Sequence, residues 1–147
     1  MDDKKRDDIF YVCTLIEFIS RKTCNHRGEV IKVFDKQDIS RQLSLAEVNH
    51  CLPFEQVAEE IIEEYHIQDG KFDTVGECKY TVPSFTAIGR VYQQLVLAIC
   101  EDGDIEQAIM NVFSSFISDE ISDFNSNVYY SNPDYLRCSF LDGKMLA

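Results

Sequence analysis

The chain has 147 residues, a length at which a single domain can bury its own hydrophobic core. Hydrophobic residues make up 45% of the sequence and charged residues 27%, values near globular averages that exclude wholesale disorder. The net charge of −12 would repel the phosphates of a nucleic acid, so the composition disfavours direct binding to DNA or RNA.

The first predicted element is a helix over residues 7–22. Apolar side chains cover nearly its whole circumference, as expected of a helix at the centre of a bundle. Glu17 interrupts this apolar run and has two interpretations. It is either a rim residue that pairs with Arg21 one turn later, or a partly buried carboxylate in a functional cleft.

Three helical segments are predicted next. A short one covers residues 28–34, and another covers 37–43 and continues irregularly to Val48. Pro53 suits the first turn of a helix at 54–65, whose apolar residues have the spacing of an amphipathic helix. The outer face of that helix is acidic and carries Glu55, Glu59, Glu60, Glu63 and Glu64.

The second half begins after an irregular connection. Residues 67–83 combine glycine, proline and polar residues, with one short piece at 79–82 that could be extended. Ser84 can cap a helix that runs to about residue 100. Gly89 inside this helix would cost about 1 kcal/mol relative to alanine, which suggests that a neighbouring helix approaches closely there.

The most regular helical pattern covers residues 104–124, with Asp104 as its cap. A tight link at 101–103 should pack this helix antiparallel to the one at 84–100, as the core hairpin. Phe116 lies on the apolar stripe and Ser115 on the polar arc. Phe116→Ala should therefore cost about 3–5 kcal/mol and Ser115→Ala almost nothing.

The chain ends with a short helix over residues 134–142. Asn132 can cap it, Pro133 suits its first turn, and Gly143 suits its end. Together the elements predict an all-α fold: a single domain over residues 1–147, a bundle of about six helices in an N-terminal half (7–66) and a C-terminal half (84–142).

The cysteines and the N-terminus indicate a compartment. Six cysteines stand far apart without a repeated spacing, several on predicted helix faces, which favours reduced thiols in the cytoplasm. The apolar run 9–19 follows basic residues, as in a signal peptide. Asp7, Asp8 and Glu17 spoil that pattern, and no small-residue cleavage site follows. The run is also too short to span a bilayer, so we expect no membrane association.

A zinc site has one candidate set. Structural zinc needs four cysteine or histidine ligands in paired spacing, and the nearest set is Cys24, His26, His50 and Cys51. On a regular helix the adjacent His50 and Cys51 would point in different directions. Capping and packing are therefore the favoured roles for these residues.

Other catalytic or metal chemistry has weak support. Glu63 and His66 have the Glu-x-x-His spacing of di-iron bundles, which use the motif twice, whereas it occurs once here. No linear order selects a nucleophile with its base, so Glu17 and His50 are the remaining catalytic candidates. The sequence therefore predicts no cofactor and leaves an enzymatic role open, with a non-enzymatic role favoured.

Carboxylates are the main surface feature. The candidate partner-binding residues are Glu59, Glu60, Glu63, Glu64, Asp119, Glu120 and Asp123. Plain solubility would explain them, and so would docking onto a basic protein, whose encounter such a field accelerates. The leading interpretation is a non-catalytic acidic module for protein–protein interaction. The alternatives are a helical metal-binding protein or enzyme with a cleft carboxylate, and an acidic nucleic-acid mimic that inhibits a DNA-binding enzyme.

The first part of the chain, roughly residues 8–65, resembles a known family. The matching positions are Ile16-Glu17, Asn25 with Gly28-Glu29-Val30, Phe34 with Lys36 and Ile39, His50, and the acidic helix Gln56 to Tyr65. The family consists of short, uncharacterised helical bacterial proteins encoded beside proteins that resemble ADP-ribosyltransferase toxins. Residues 67–147 have no counterpart in its short members. The resemblance implies association with a neighbouring toxin-like or defence protein, as an antitoxin or regulator, and assigns no catalytic residue.

Overall fold

The computed structural model describes residues 1–100 and 102–147, and these residues are all-helical, as predicted. They form eight α-helices and one 3₁₀ helix, with no strand, so the extended piece expected at 79–82 does not form a strand. The elements are α1 (Asp3–Thr23), α2 (Arg27–Ile31), α3 (Lys36–Asn49), α4 (Phe54–Glu64), α5 (Phe85–Ile99), α6 (Ile105–Ser114), α7 (Phe116–Ser122), the 3₁₀ helix Val128–Tyr130 and α8 (Pro133–Asp142).

Helix α1 is the central helix that its apolar circumference predicts. The Asp2 side chain caps its start by accepting a hydrogen bond from the Lys5 backbone N–H, and Cys24 ends it in the left-handed conformation, with φ of 55°. Buried residues occur on all of its sides. Its most extensive packing is against α5, so α5 has α1 as its main partner. The predicted core hairpin of 84–100 with 104–124 is therefore a secondary contact, and Glu101 of the predicted link lies outside the described residues.

The crossing of α1 and α5 confirms the close approach predicted at Gly89. A Cβ atom on Gly89 would lie 2.0 Å from Thr14 Oγ1 and 2.9 Å from Thr14 Cα. Both distances are shorter than any real carbon contact allows. Gly89 therefore lets the two helix backbones approach, which explains a glycine in the interior of a helix.

Residues 104–124, which were predicted to form one helix, form two. Helix α6 ends at Ser114, and Ser115 adopts an extended conformation and caps α7 by accepting a hydrogen bond from the Ile117 backbone N–H at 3.3 Å. The break changes the helical phase. Phe116 is consequently only partly buried, and Ser118 and Ser122, which the single-helix pattern placed in water, are buried.

The ends of α8 and the start of α3 follow ordinary capping rules. Asn132 caps α8, Pro133 occupies its first turn and Gly143 closes it in the left-handed conformation, as predicted. Helix α3 begins where Asp35 and Asp38 form a capping box, and it is longer than predicted because it continues as a regular helix from residue 43 to Asn49. Over the described residues, no helix has both the length and the apolar character needed to cross a bilayer.

The irregular connection crosses the end of α1 and is tied to it by backbone hydrogen bonds. The backbone N–H groups of Gly70 and Phe72 donate to the carbonyls of Thr23 and Cys24, each at 2.8 Å. A Cβ on Gly70 would lie 2.6 Å from the Cys24 carbonyl oxygen, so only glycine fits there. These contacts fix the connection beside α2 and α7.

Candidate functional site

A buried ion pair lies beneath the site. Glu17 is fully buried and accepts hydrogen bonds from Arg21 Nε at 2.7 Å, Arg27 Nε at 2.8 Å and Arg27 Nη2 at 2.5 Å. The predicted pairing with Arg21 is confirmed. The predicted rim position is wrong, because the sequence pattern did not reveal Arg27 as a second and equally buried partner.

Arg27 connects three parts of the chain. Its guanidinium is fully buried and also donates to Thr74 Oγ1 at 3.2 Å, so it joins α1, α2 and the irregular connection. Burial lowers the pKa of Arg27, but the charge and hydrogen bonds of Glu17 outweigh this effect and leave that pKa raised. Glu17 therefore serves as the counter-ion that holds Arg27 charged inside the protein.

His26 lies directly before Arg27 and faces the outside of this corner. Its ring stacks on Phe72 of the connection, with centroids 3.8 Å apart and planes 18° apart. His26 Nδ1 lies 2.8 Å from Asp119 Oδ1 on α7. The imidazole thus bridges the connection and α7, and the buried Arg27 fixes the backbone from which it projects.

An acidic cleft opens beside His26, between the connection and α7. Its volume is about 480 Å³, and its lining includes four carboxylates, those of Asp73, Glu77, Asp119 and Asp123, against one lysine, Lys71. Asp119 and Asp123 are one helical turn apart and so share a face of α7. Glu120, the third predicted acidic residue of α7, is exposed but is not part of the cleft lining.

A tyrosine shelf, formed by Tyr80, Tyr129 and Tyr130, continues the cleft. It lines a second hollow of about 620 Å³, and both hollows share Phe124 and Asn125. The exposed fractions of Tyr80 and Tyr130 are 71% and 76%. The two exposed rings are therefore large apolar groups displayed next to a cluster of carboxylates.

Phe124 and Asn125 hold this boundary in place. Asn125 Oδ1 accepts from the Lys79 backbone N–H at 2.7 Å, and its Nδ2 donates to the Glu77 carbonyl at 3.0 Å. The Arg21 guanidinium lies 4.8 Å from the centre of the Phe124 ring. The buried ion pair and the cleft are thus joined through α1 and Phe124.

No family model, curated protein or solved structure matches this chain. The geometry of the described residues therefore carries the functional argument.

The other predicted acidic surface lies on α4, away from the cleft lining. Glu59, Glu60, Glu63 and Glu64 are exposed, as predicted. Basic side chains neutralise part of this surface: Arg41 donates to Glu64 at 2.8 Å, and Lys22 pairs with Glu55 and lies 3.8 Å from Glu59. None of the four predicted residues lines the acidic cleft, so the two groups of predicted partner-binding carboxylates do not share that cleft.

The metal candidates do not assemble. His66 lies beyond the end of α4 in the left-handed conformation, with φ of 54°, so it does not share a helix face with Glu63. His26 faces Asp119, whereas His50 Nδ1 donates to the Glu47 carbonyl at 2.6 Å near the end of α3. Within residues 1–100 and 102–147, no group of three or more His, Cys, Asp or Glu side chains could hold a metal ion.

Two of the four carboxylates that line the cleft were identified from the sequence. Asp119 and Asp123 were predicted partner-binding residues, but Asp73 and Glu77 were not, because they lie in a segment without periodicity. The structure does not bring the two catalytic candidates together. Glu17 is buried and paired with two arginines, and His50 lines a different hollow.

Proposed function

We propose that the chain is a non-catalytic acidic module that binds a basic protein partner through the acidic cleft and the tyrosine shelf. The observation that carries the proposal is their continuity: the carboxylate-lined hollow and the tyrosine-lined hollow share Phe124 and Asn125. A partner segment that places a lysine or arginine in the carboxylate-lined hollow would reach the tyrosine-lined hollow with its next residues.

The two parts of this surface would contribute differently. The carboxylates, together with the net charge of −12, would accelerate the encounter with a basic protein and make it sensitive to salt. The exposed tyrosines supply rigid contact area of the kind that carries binding energy in protein interfaces. Charge would therefore govern association and the tyrosines would govern the lifetime of the complex.

The resemblance of residues 8–65 suggests which partner to try first. We propose that the module acts in the cytoplasm as an antitoxin or regulator of a neighbouring protein similar to ADP-ribosyltransferase toxins. A regulator needs only to occupy a surface of its target, which is consistent with a site built from carboxylates and tyrosines rather than from a nucleophile and a base.

Two alternatives have less support in the geometry. An enzyme that uses Glu17 as its cleft carboxylate would need that acid to be accessible, and Glu17 is fully buried with two arginines. A nucleic-acid mimic would need a long row of unpaired carboxylates, and the row on α4 is interrupted by the pairs of Lys22 and Arg41.

Co-expression with the proteins encoded beside its gene would test the proposal. Each neighbour carries an affinity tag, and the untagged chain is recovered at low and at high salt. We expect recovery with a basic neighbour at low salt and its loss at high salt. Recovery with none of them at low salt would refute the partner assignment.

A charge-matched pair of variants locates the surface. The cleft variant combines Asp73→Asn, Glu77→Gln, Asp119→Asn and Asp123→Asn, and the α4 variant combines Glu59→Gln, Glu60→Gln, Glu63→Gln and Glu64→Gln. Both remove the same number of negative charges. We expect the cleft variant to lose binding and the α4 variant to retain it. The reverse result would move the site to α4 and favour the mimic.

A further inference from the structure

A third hollow lies on a different surface, where α1, α3, α5 and the start of α4 meet. Its volume is about 710 Å³, within the range of small-molecule sites. Three aromatic rings line it, those of Phe10, Tyr11 and Phe54. The charged and polar lining residues are Arg90, Lys4, His50, Asp7, Asp8 and Glu47. It shares no lining residue with the acidic cleft or the tyrosine shelf.

The charged groups at this hollow are not equivalent. Lys4 lies 2.9 Å from Asp8 and 3.6 Å from Glu47, so carboxylates on α1 and α3 neutralise it. Arg90 forms no ion pair with any residue in 1–100 or 102–147. It is the cation at this hollow whose charge lacks a counter-ion among the described residues.

Contacts hold the Arg90 guanidinium in a defined place. Its centre lies 4.1 Å from the centroid of the Phe10 ring, a cation–π contact. Its Nη1 donates to Gln93 Oε1 at 2.8 Å, and Gln93 is itself fixed because its Nε2 donates to the Arg6 carbonyl at 2.8 Å. The remaining N–H groups can therefore donate to a ligand from a guanidinium that is already positioned.

The aromatic wall has an unsatisfied polar atom. The Tyr11 ring stacks on Phe54, with centroids 5.1 Å apart and planes 20° apart. Tyr11 is 6% exposed, and its hydroxyl is buried without a hydrogen-bond partner among the described residues. The hydroxyl is sealed from solvent, so the ring of Tyr11, and not its hydroxyl, is the part that a ligand in the hollow can contact.

We propose that this hollow binds a small planar aromatic carboxylate. The ring would lie against the wall formed by Phe10, Tyr11 and Phe54, where offset stacking and burial favour it. The carboxylate would accept hydrogen bonds from Arg90, whose planar fork matches the two carboxylate oxygens. A cationic ligand could not accept these hydrogen bonds, although the carboxylates of Asp7, Asp8 and Glu47 also line the hollow, and a non-aromatic acid would lose the stacking.

Amide NMR spectra of the full chain can test this with three simple probes. The probes are benzoate, benzylamine and cyclohexanecarboxylate, which separate the contributions of charge and ring planarity. With benzoate we expect shifts confined to residues 8–11, 46–50 and 90–93, and weaker binding of both other probes. Equal or tighter binding of benzylamine, or benzoate shifts spread over the whole surface, would overturn the proposal.

Two arginine variants complete the experiment. Arg90 is exposed, so Arg90→Gln should leave the fold intact while it removes the charge-assisted hydrogen bonds. We expect the dissociation constant for benzoate to rise about tenfold or more. Arg41→Gln, an exposed arginine of α3 outside this hollow, is the matched control and should not change it. An unchanged dissociation constant in Arg90→Gln would refute the site, whatever the partner experiments show.

Discussion

The crossing of α1 with α5 and the corner around Arg27 are both buried, but they are built from opposite chemistry. At the crossing, two apolar helices approach so closely that Gly89 has room for no side chain. At the corner, a fully buried carboxylate and guanidinium join α1 to α2 and to the irregular connection. The first region stabilises by excluding water, and the second by satisfying two charges that have no access to it.

The difference explains why the proposed binding surface lies at the corner. A segment without apolar periodicity, such as 67–82, cannot be held by hydrophobic packing alone, so it is fixed by directed bonds. Thr74 bonds to Arg27, and Gly70 and Phe72 bond to the end of α1. Such bonds leave the outer side chains of Asp73 and Glu77 exposed.

Neutralising the buried acid should have the largest effect. In Glu17→Gln the two arginines lose their counter-ion while the volume stays the same. We expect the free energy of unfolding to fall by about 3–5 kcal/mol, measured by urea denaturation followed by circular dichroism. Arg27→Met should cost less in the Glu17→Gln background than alone, because both changes remove one ion pair.

The control for this prediction is Glu59→Gln on α4. Glu59 is exposed and lies 3.8 Å from Lys22, so the free energy of unfolding should change by no more than about 0.5 kcal/mol. A similar small loss in Glu17→Gln would mean that the corner is not held by charge.

The helix crossing should respond to a single methyl group. Gly89→Ala improves helix propensity, yet its Cβ would overlap Thr14, including the Thr14 backbone at 2.9 Å. We expect a loss of about 1–3 kcal/mol in the free energy of unfolding. Gly28→Ala on α2 is the matched control, because its Cβ would meet the Phe113 carbonyl at an ordinary 3.5 Å. Gly28→Ala should be neutral or stabilising, and an equal loss in both would contradict the crossing.

The apolar region could be predicted from the sequence, because a helix that is buried on all sides needs apolar residues on all sides. The circumference of α1, the close approach at Gly89 and the caps of α8 are local or periodic features, and all three are as predicted. The phase break at Ser115 was missed, since serine is equally acceptable on a polar helix face and at a cap.

The corner could be predicted only in part, because its partners are distant in the chain. Glu17 was recognised as an unusual residue in an apolar run. Its partner Arg27 lies 10 positions further along the chain, and Thr74, which accepts a hydrogen bond from Arg27, lies 47 positions beyond Arg27. No periodic signal marks such pairs. The same holds for the cleft, where Asp119 was predicted from α7 and its neighbours Asp73 and Glu77 were not.

The boundary between α6 and α7 should show a smaller effect. Ser115→Ala removes the cap of α7 and the hydrogen bond that Ser115 Oγ donates to the Val112 carbonyl at 2.8 Å. We expect a loss of about 1 kcal/mol in the free energy of unfolding, whereas the exposed Ser114→Ala should change it by no more than about 0.5 kcal/mol. Equal, negligible effects would restore the single helix over 104–124.

The same boundary makes a second comparison possible. Phe113 is fully buried, whereas Phe116 at the start of α7 is only partly buried. Phe113→Ala should therefore cost about 3–5 kcal/mol and Phe116→Ala clearly less, measured by the same denaturation. A larger loss in Phe116→Ala would mean that the continuous helical phase was correct.

The last prediction concerns Tyr11 and its effect appears at alkaline pH. Burial raises the pKa of Tyr11 from 10.0 to about 12. The folded protein holds this proton more tightly than the unfolded chain. The contribution of protonated Tyr11 to the free energy of unfolding is therefore complete below pH 10 and is lost as the pH rises to about 12. Tyr11→Phe lacks the proton, so its free energy of unfolding should fall less than that of the wild type over this interval.

At neutral pH, Tyr11→Phe should not destabilise the chain, since the hydroxyl that it removes has no hydrogen-bond partner among the described residues. Tyr80→Phe is the control, because Tyr80 is 71% exposed and the loss of its hydroxyl should not change the free energy of unfolding at neutral pH. Urea denaturation of the three proteins at neutral pH and across the alkaline interval measures both quantities. If Tyr11→Phe lost stability at neutral pH, the hydroxyl would have a hydrogen-bond partner, and the aromatic wall would hold no unsatisfied polar atom.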